Sequence, residues 1–315
     1  MENLIFSLNA TMPLFLMMVL GYVLKRVGII DFKSANVINK LVFRIFLPCL
    51  LFTDLYKQDF SSMWDGQFVG FCAISTVVSI LIAFLLAKVF CESSDQGEFI
   101  QASYRSAAAT LGIAFMTNIY DNVAMVALMI IGSVPIYNVV AVIVLSLTAP
   151  NGANGKGKEL FKRTLKNLVT NPIILGIVLG MIWSVFKLPL PSILNKSVTY
   201  LGNCASPLAL IGLGACFEFS DVKEKLKSII CVNFNKLFLF CIIFLPVAIH
   251  IGYRDDKLVA ALIMLGSATT SSSFIMSKNM GHQGNLSSSS VMTTTLLSSF
   301  TLTFWLFILR MLGLI

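Results

Sequence analysis

The chain has 315 residues, 57% of them hydrophobic and 12% charged, and its mean hydropathy is +0.86. A soluble domain carries about 25% charged residues. A water-soluble enzyme, a nucleic-acid binder and a disordered chain are therefore excluded, and the class is a polytopic membrane protein. The net charge of +8 is read as a topology signal rather than an affinity for nucleic acid.

A spanning helix takes about 20 apolar residues. Ten such runs follow one another, at approximately 6–25, 35–55, 67–90, 98–118, 122–148, 165–186, 191–216, 230–252, 257–277 and 288–313. Barrel strands would alternate in hydrophobicity and these runs do not, so they read as helices. The first run, Leu14 to Leu24, follows no basic segment or cleavage site and reads as a span, not a signal peptide. Alternate connections share the basic residues unequally. One side receives Lys25, Arg26, Lys33, Lys88, Arg105, Lys156, Lys158, Lys162, Arg163, Lys166, Lys223, Lys225, Lys227, Lys236 and Lys278, fifteen in all. The other receives six: Lys57, Lys187, Lys196, Arg254, Lys257 and Arg310. That bias puts the first side in the cytoplasm of a cell membrane and both termini outside. Ala149 to Lys158, rich in Gly and Asn, reads as a cytoplasmic linker. The division is a first half over 1–150, a linker over 151–163 and a second half over 164–315.

The halves match at a constant offset of 159 residues. Pro13 pairs with Pro172, Gly21 with Gly180, Asn36 with Asn195, Pro48 with Pro207, Thr110 with Thr269 and Phe115 with Phe274. Each half holds five spans, an odd number, so the second copy enters the membrane from the opposite side. The expected fold is all-α, with ten transmembrane helices in two inverted five-helix repeats. Inverted copies are the architecture of many secondary transporters, whose substrate sits near the midplane between discontinuous helices of corresponding spans.

The fourth and ninth runs look most broken, through Ser106–Phe115 and Gly266–Ile275. Small and hydroxylated residues admit close backbone approach and re-satisfy freed backbone groups. Half-helix N-termini there would turn free N–H groups and partial positive charge into a cavity, which suits an anion. The same composition also serves plain helix packing. The candidate substrate-binding residues are Thr110, Gly112, Ile113, Phe115, Ser271, Ser272 and Ser273, with Asn138 and Arg44. Arg44 lies about 15 Å into the second span, facing a cavity or snorkelling beside Lys40. Its partner at the repeat offset is Asn203. Arg105 reads either as a guide for anions or as an interfacial anchor. Asn138 and Asn39 would bind substrate or a neighbouring helix.

No Asp or Glu falls near a predicted span centre; Asp54, Asp65, Asp121, Glu218 and Asp255 lie at ends or in loops. A carboxylate-based proton antiporter is disfavoured. Voltage-driven anion transport needs no such group, since about 2.3 kcal/mol per charge per 100 mV biases a monoanion outward roughly fifty-fold. A sodium site of hydroxyls and carbonyls is the alternative. The seven cysteines have no CxxC spacing and read as small buried hydrophobes, and His250 and His282 have no metal-ligand spacing. Neither an enzyme constellation nor a cofactor site is expected.

Met12-Pro13-Leu14-Phe15 with Gly21-Tyr22 and Gly28-Ile29-Ile30 resembles the auxin efflux carrier family in its short bacterial form. So do Asn39-Lys40-Leu41-Val42-Phe43 running into Leu47-Pro48-Cys49-Leu50-Leu51-Phe52, Asn171-Pro172-Ile173-Ile174, Pro207-Leu208-Ala209-Leu210 and Thr293-Thr294-Thr295-Leu296-Leu297-Ser298. The resemblance covers essentially the whole chain. It implies a scaffold of the first, second, sixth and seventh spans that often forms a homodimer. It also implies a transport domain moving elevator-fashion, with organic anions such as malate, malonate or auxin-like acids as substrates. Members commonly carry Asn after the Arg of the fourth span and proline at a crossover; this chain has Ser106-Ala107-Ala108-Ala109 and a ninth span of Ser and Thr. A sodium-coupled symporter resembling the bile-acid symporters is one alternative, and a membrane sensor with the same fold is another.

Overall fold

The structure, a computed structural model, describes residues 2–56, 64–120, 124–149 and 158–315. Every regular element among them is a helix. In chain order these are α1 (Glu2–Arg26), α2 (Phe32–Leu41), α3 (Leu47–Tyr56), α4 (Gly66–Phe90), α5 (Gln96–Tyr104), α6 (Ala108–Tyr120) and α7 (Ala124–Thr148). There follow α8 (Lys158–Thr170), α9 (Pro172–Val185), α10 (Ser192–Asn203), α11 (Ala205–Cys216), α12 (Phe219–Glu224), α13 (Leu226–Phe234), α14 (Phe240–Ile251), α15 (Asp255–Gly266), α16 (Ser271–Asn279) and α17 (Asn285–Met311). One π-helical turn, Val42–Phe46, joins α2 to α3, and another, Asn235–Leu239, joins α13 to α14.

Seven stretches are long and apolar enough to cross a membrane: Leu8–Arg26, Phe32–Tyr56, Gly66–Phe90, Ala124–Thr148, Ser192–Cys216, Leu226–Ile251 and Asn285–Met311. The end of α8 and α9, bent by 55°, make an eighth if they form one span. The expected fourth and ninth spans fall on the broken pairs α5–α6 and α15–α16. Lys57, Asp121, Lys156 and residues 150–157 of the expected linker lie outside the described residues.

Sequence sets the helix starts. Asp31 accepts the Ser34 N–H at 2.7 Å to cap α2, and Asp65 accepts the Phe68 N–H at 3.0 Å to cap α4. Asn171 caps α9 through the Ile173 N–H at 3.0 Å, with Pro172 in the first turn where its missing N–H costs nothing. Glycine sets the closest helix approaches. A Cβ on Gly21 would stand 2.1 Å from the Ile211 carbonyl oxygen, and one on Gly180 2.9 Å from that of Phe52. Gly21 and Gly180 are 159 residues apart, and so are Phe52 and Ile211. The same contact, between a glycine and a backbone carbonyl, thus occurs twice at the sequence offset.

The centre of the bundle is polar. Every residue of α5 from Gly97 to Tyr104 is buried, as is α15 from Leu258 onward. Glu98, 1% exposed, accepts the backbone N–H groups of Gly284 (2.7 Å) and Ser287 (2.9 Å), and so caps the first turn of α17 from α5. Arg105 and Lys236, assigned above to cytoplasmic connections, are instead 0% and 1% exposed. Subtracting them leaves 15 − 2 = 13 basic residues against six, so the charge bias keeps its direction. Of the cysteines, Cys72 and Cys241 are buried, Cys204 is exposed, and the other four are intermediate.

Candidate functional site

The two broken pairs cross. Arg105–Ala107 and Ser267–Thr270 are non-helical and run antiparallel, with a bridge between Ser106 and Thr269. The Ala107 N–H donates to the Ala268 carbonyl at 2.8 Å. Thr269 pins the crossing, its N–H donating to Thr294 Oγ1 (3.1 Å) and its hydroxyl to the Ala102 carbonyl (2.8 Å). Both breaks are shorter than the segments expected to unwind. Gly112 lies inside α6, because the run Ala107-Ala108-Ala109 consists of the strongest helix former and restarts the helix at once.

Four helix ends meet at this crossing, and their dipoles differ in how they are met. At the C-terminal end of α15, the Lys236 ammonium donates to the carbonyls of Leu265 (2.9 Å) and Met264 (3.3 Å) and to the Ser106 hydroxyl. Arg105 itself is the C-cap of α5. Its guanidinium donates to Gln101 Oε1 (3.2 Å), Asn138 Oδ1 (2.8 Å), Ser272 Oγ (2.7 Å) and the Met276 sulfur, and lies 5.4 Å from the Tyr137 ring centroid. Its Nε has no partner. Among the described residues no carboxylate pairs with Arg105 or Lys236. Lys236 meets the C-terminal end of α15 and Arg105 stands at that of α5, and among the described residues no acid is bonded to the first turns of α6 and α16, while Asp54 lines the cavity they open into. Thr270, the N-cap of α16, makes no side-chain cap bond. The crossing thus holds the Arg105 guanidinium, the Lys236 amino group and two positive dipole ends.

A cavity of about 450 Å³ opens on this crossing. The first turns of α6 and α16 contribute Ala109, Thr110, Ser271 and Ser272, and α7 contributes Tyr137 and Asn138. The facing wall comes from Leu47, Leu50, Leu51 and Asp54 of α3 and from Gly202, Asn203, Ser206 and Leu210 of α10 and α11. Apolar walls with a few convergent polar groups are the usual form of a small-molecule site.

Of the residues singled out from sequence, Thr110, Ile113, Ser271, Ser272 and Asn138 line this cavity. Gly112 faces Val126 and Met129 of α7, Phe115 is fully buried, and Ser273 is buried with its hydroxyl donating to the Thr270 carbonyl. Arg44 is exposed in the first π-helical turn and does not line the cavity; its repeat partner Asn203 does. Asn39 is buried against Gly212 and donates to Cys216, so it joins helices. Arg105 is a correction: it is neither interfacial nor an anchor but the hub of the crossing. Lys236 was missed as well, and Asp54, read as lying at a span end, also lines the cavity. The available signals were an arginine directly before a small-residue run, and a lysine six residues inside the run at 230–252.

A family model described as membrane transport protein matches residues 6–306. The chain belongs to that family. The auxin efflux carrier resemblance read from the sequence agrees with it. An uncharacterized transporter of Methanothermobacter thermautotrophicus is 22% identical over 303 residues, 95% of this chain and 97% of that one. A Rhizobium meliloti protein provisionally named a malonate transporter is 21% identical over 95% of this chain and 94% of its own. Among solved structures, the sodium proton antiporter MjNhaP1 of Methanocaldococcus jannaschii has a similar fold. Its TM-score is 0.66 at 16% identity, over 96% of this chain and 97% of that one. The chain is thus a multi-pass membrane transporter and not a member of an enzyme family.

Proposed function

We propose that the chain is a secondary transporter of small organic anions, working by elevator-type alternating access and exporting under the membrane potential. The observation that carries the reading is the charge of the crossing. Arg105 and Lys236 are buried without a carboxylate partner among the described residues, and the N-termini of α6 and α16 open beside them into a cavity. A buried charge is costly unless paired, and an anion in the cavity supplies the missing counter-charge. Thr110, Asn138, Ser271 and Ser272 would donate to its carboxylate, with Ile113 against its body and Arg105 behind them. The provisional name of the malonate relative is in keeping with an organic anion.

The same reading takes the chain as ten spans in two inverted repeats, 1–150 and 164–315, joined by the linker 151–163 in a homodimer with both termini outside the cell membrane. Its support is the paired glycine contacts at the offset of 159, and the placement of one broken pair in each half. The cavity lies between α3, α10 and α11 on one side and α6, α7 and α16 on the other, the division an elevator needs.

Sodium coupling is a second reading. The hydroxyls of Ser289 and Ser290 in α17 are buried without a partner, and the structural neighbour is named for sodium. Purified protein in liposomes separates the two. Saturable current on adding carboxylates without sodium supports anion uniport. Current only with sodium supports the symporter. A folded protein that moves none of a broad carboxylate panel contradicts the anion reading and favours a sensor.

A further inference from the structure

α15 ends at Gly266, so the Met264 and Leu265 carbonyls lie in its last turn, where the helix supplies no N–H. Half-helix C-terminal ends of this kind coordinate the coupling cation in many transporters built from inverted repeats. Here a side chain fills that position. Lys236 comes from another element, the π-helical turn before α14. Its Nζ donates to the Leu265 carbonyl at 2.9 Å, to the Met264 carbonyl at 3.3 Å and to the Ser106 hydroxyl. Ser106 directs its own O–H to the Met264 carbonyl, so it too accepts from Lys236. Three oxygens thus take three N–H groups, which an ammonium has and a neutral amine has not. Beside Lys236 lies a void of about 10 Å³, bordered by the hydroxyl-bearing Thr76, Ser79 and Ser133 as well as by Ser106 and the end of α15. It has room for about one water. Ser106 also lines the crossing cavity, so the two spaces share a wall.

We infer that the Lys236 ammonium is a tethered cation that occupies the place of a free sodium ion, so that the anion is carried without a coupling cation. This deepens the organic-anion reading and rests on it. A sodium ion bound at the end of α15 would cross with a monoanion and cancel its charge, and the membrane potential would then drive neither. A tethered ammonium travels with the crossing in both directions of an elevator stroke. Its charge movement sums to zero over a cycle, and each turnover moves the charge of the anion alone. The geometry makes the substitution reversible. Truncating Lys236 to alanine joins the space of its side chain to the neighbouring void. The Leu265 and Met264 carbonyls and the Ser106 hydroxyl are left around the hole, with Thr76, Ser79 and Ser133 on its border. Carbonyl and hydroxyl oxygens are the ligands that hard cations take. Sodium therefore binds the truncated protein there and not the wild type.

Lys236→Ala tests this in sodium chloride against N-methyl-D-glucamine chloride at equal ionic strength, read as the thermal unfolding midpoint of the detergent-solubilised full chain. The wild type is expected to unfold at the same temperature in both salts, and Lys236→Ala to gain about 3 °C or more in sodium. Lys236→Ser adds a hydroxyl to the same hole, is expected to act alike, and keeps the test open if the alanine variant misfolds. In proteoliposomes the wild-type carboxylate current should agree within about twofold between the two salts, and sodium should raise the current of the truncated proteins. A midpoint that sodium leaves unchanged in folded Lys236→Ala and Lys236→Ser, or a wild-type current that needs sodium, would overturn the inference. A protein that carries no carboxylate in either salt contradicts the organic-anion reading instead, an outcome distinct from the first because the sodium shift is read without transport.

Discussion

Replacing Arg105 with glutamine removes the charge at the hub of the crossing and keeps a hydrogen-bonding side chain there. The guanidinium Nη2 is 2.7 Å from Ser272 Oγ. An anion accepting from that hydroxyl adds about 2.8 Å, so it stands about 5 Å from the positive charge. At an effective dielectric of about 20 the attraction is about 3 kcal/mol. Glutamine returns part of that by donating to Asn138 or Ser272 itself, about 1 kcal/mol. The net loss of about 2 kcal/mol raises the half-saturating anion concentration about thirtyfold. The assay is the concentration dependence of the carboxylate current in proteoliposomes, with detergent-solubilised protein checked for a single symmetric elution peak. Arg105→Lys restores the charge without the planar fork, so it is expected to recover only part of the affinity. Folded Arg105→Gln protein with the wild-type half-saturation would refute the argument that this charge acts on substrate through Ser272 and Asn138.

Three further predictions concern stability and specificity of role. Lys236→Met leaves the Met264 and Leu265 carbonyls without their ammonium donor and should destabilise the fold by about 3 kcal/mol. A thermal unfolding midpoint equal to wild type would show that α15 needs no cation at its end. Arg44→Ala should leave anion half-saturation within about twofold, since Arg44 is exposed and away from the cavity; a tenfold change would return it to the site. At the membrane edge, the Lys257 ammonium and the first-turn N–H groups of α4 hold the Asp65 carboxyl below its ordinary 3.8. A carboxyl with a depressed folded value stabilises fully above the unfolded value and loses that contribution as pH falls through the folded one. Asp65→Asn should therefore cost about 1 kcal/mol at neutral pH, small because the pair is partly exposed. The difference between the two proteins should shrink as pH falls below 3.8 toward the lowered folded value, and a difference that stays constant on acidification would contradict the linkage.

Much of the architecture was legible because lipid enforces it. A spanning helix must be apolar over its length, so hydropathy located the seven long spans, and Gly21 and Gly180 marked two matching glycine contacts 159 residues apart. The broken pairs were legible as composition, since close crossing demands small residues such as Ala107, Ala268 and Ser106. The cations were harder. Hydropathy averages over a window and cannot tell a lysine at a span's edge from one turned into the core. Lys236 sits in a π-helical turn whose altered phase no periodicity announces. Arg105 was placed by its distance from the end of a run, but α5 is buried on every side, so the end of the run is not a membrane surface. Asp54 is indeed near a helix end; that the cavity reaches it depends on the packing of α3 against α10, which a single sequence does not encode locally. Arg44 shows the converse error: depth in a span measured along the helix says nothing about which way the side chain faces.

The central claim is that an organic anion binds at the crossing of α5–α6 with α15–α16. Soaking crystals of the protein with a bromine-labelled monocarboxylate such as 4-bromobutyrate, and collecting anomalous diffraction, would locate that ligand. The account predicts the carboxylate against Thr110, Ser271 and Ser272 in front of Arg105, with the bromine toward the leucines of α3. A labelled anion that the protein transports but that binds elsewhere, with the crossing empty at saturation, would contradict it.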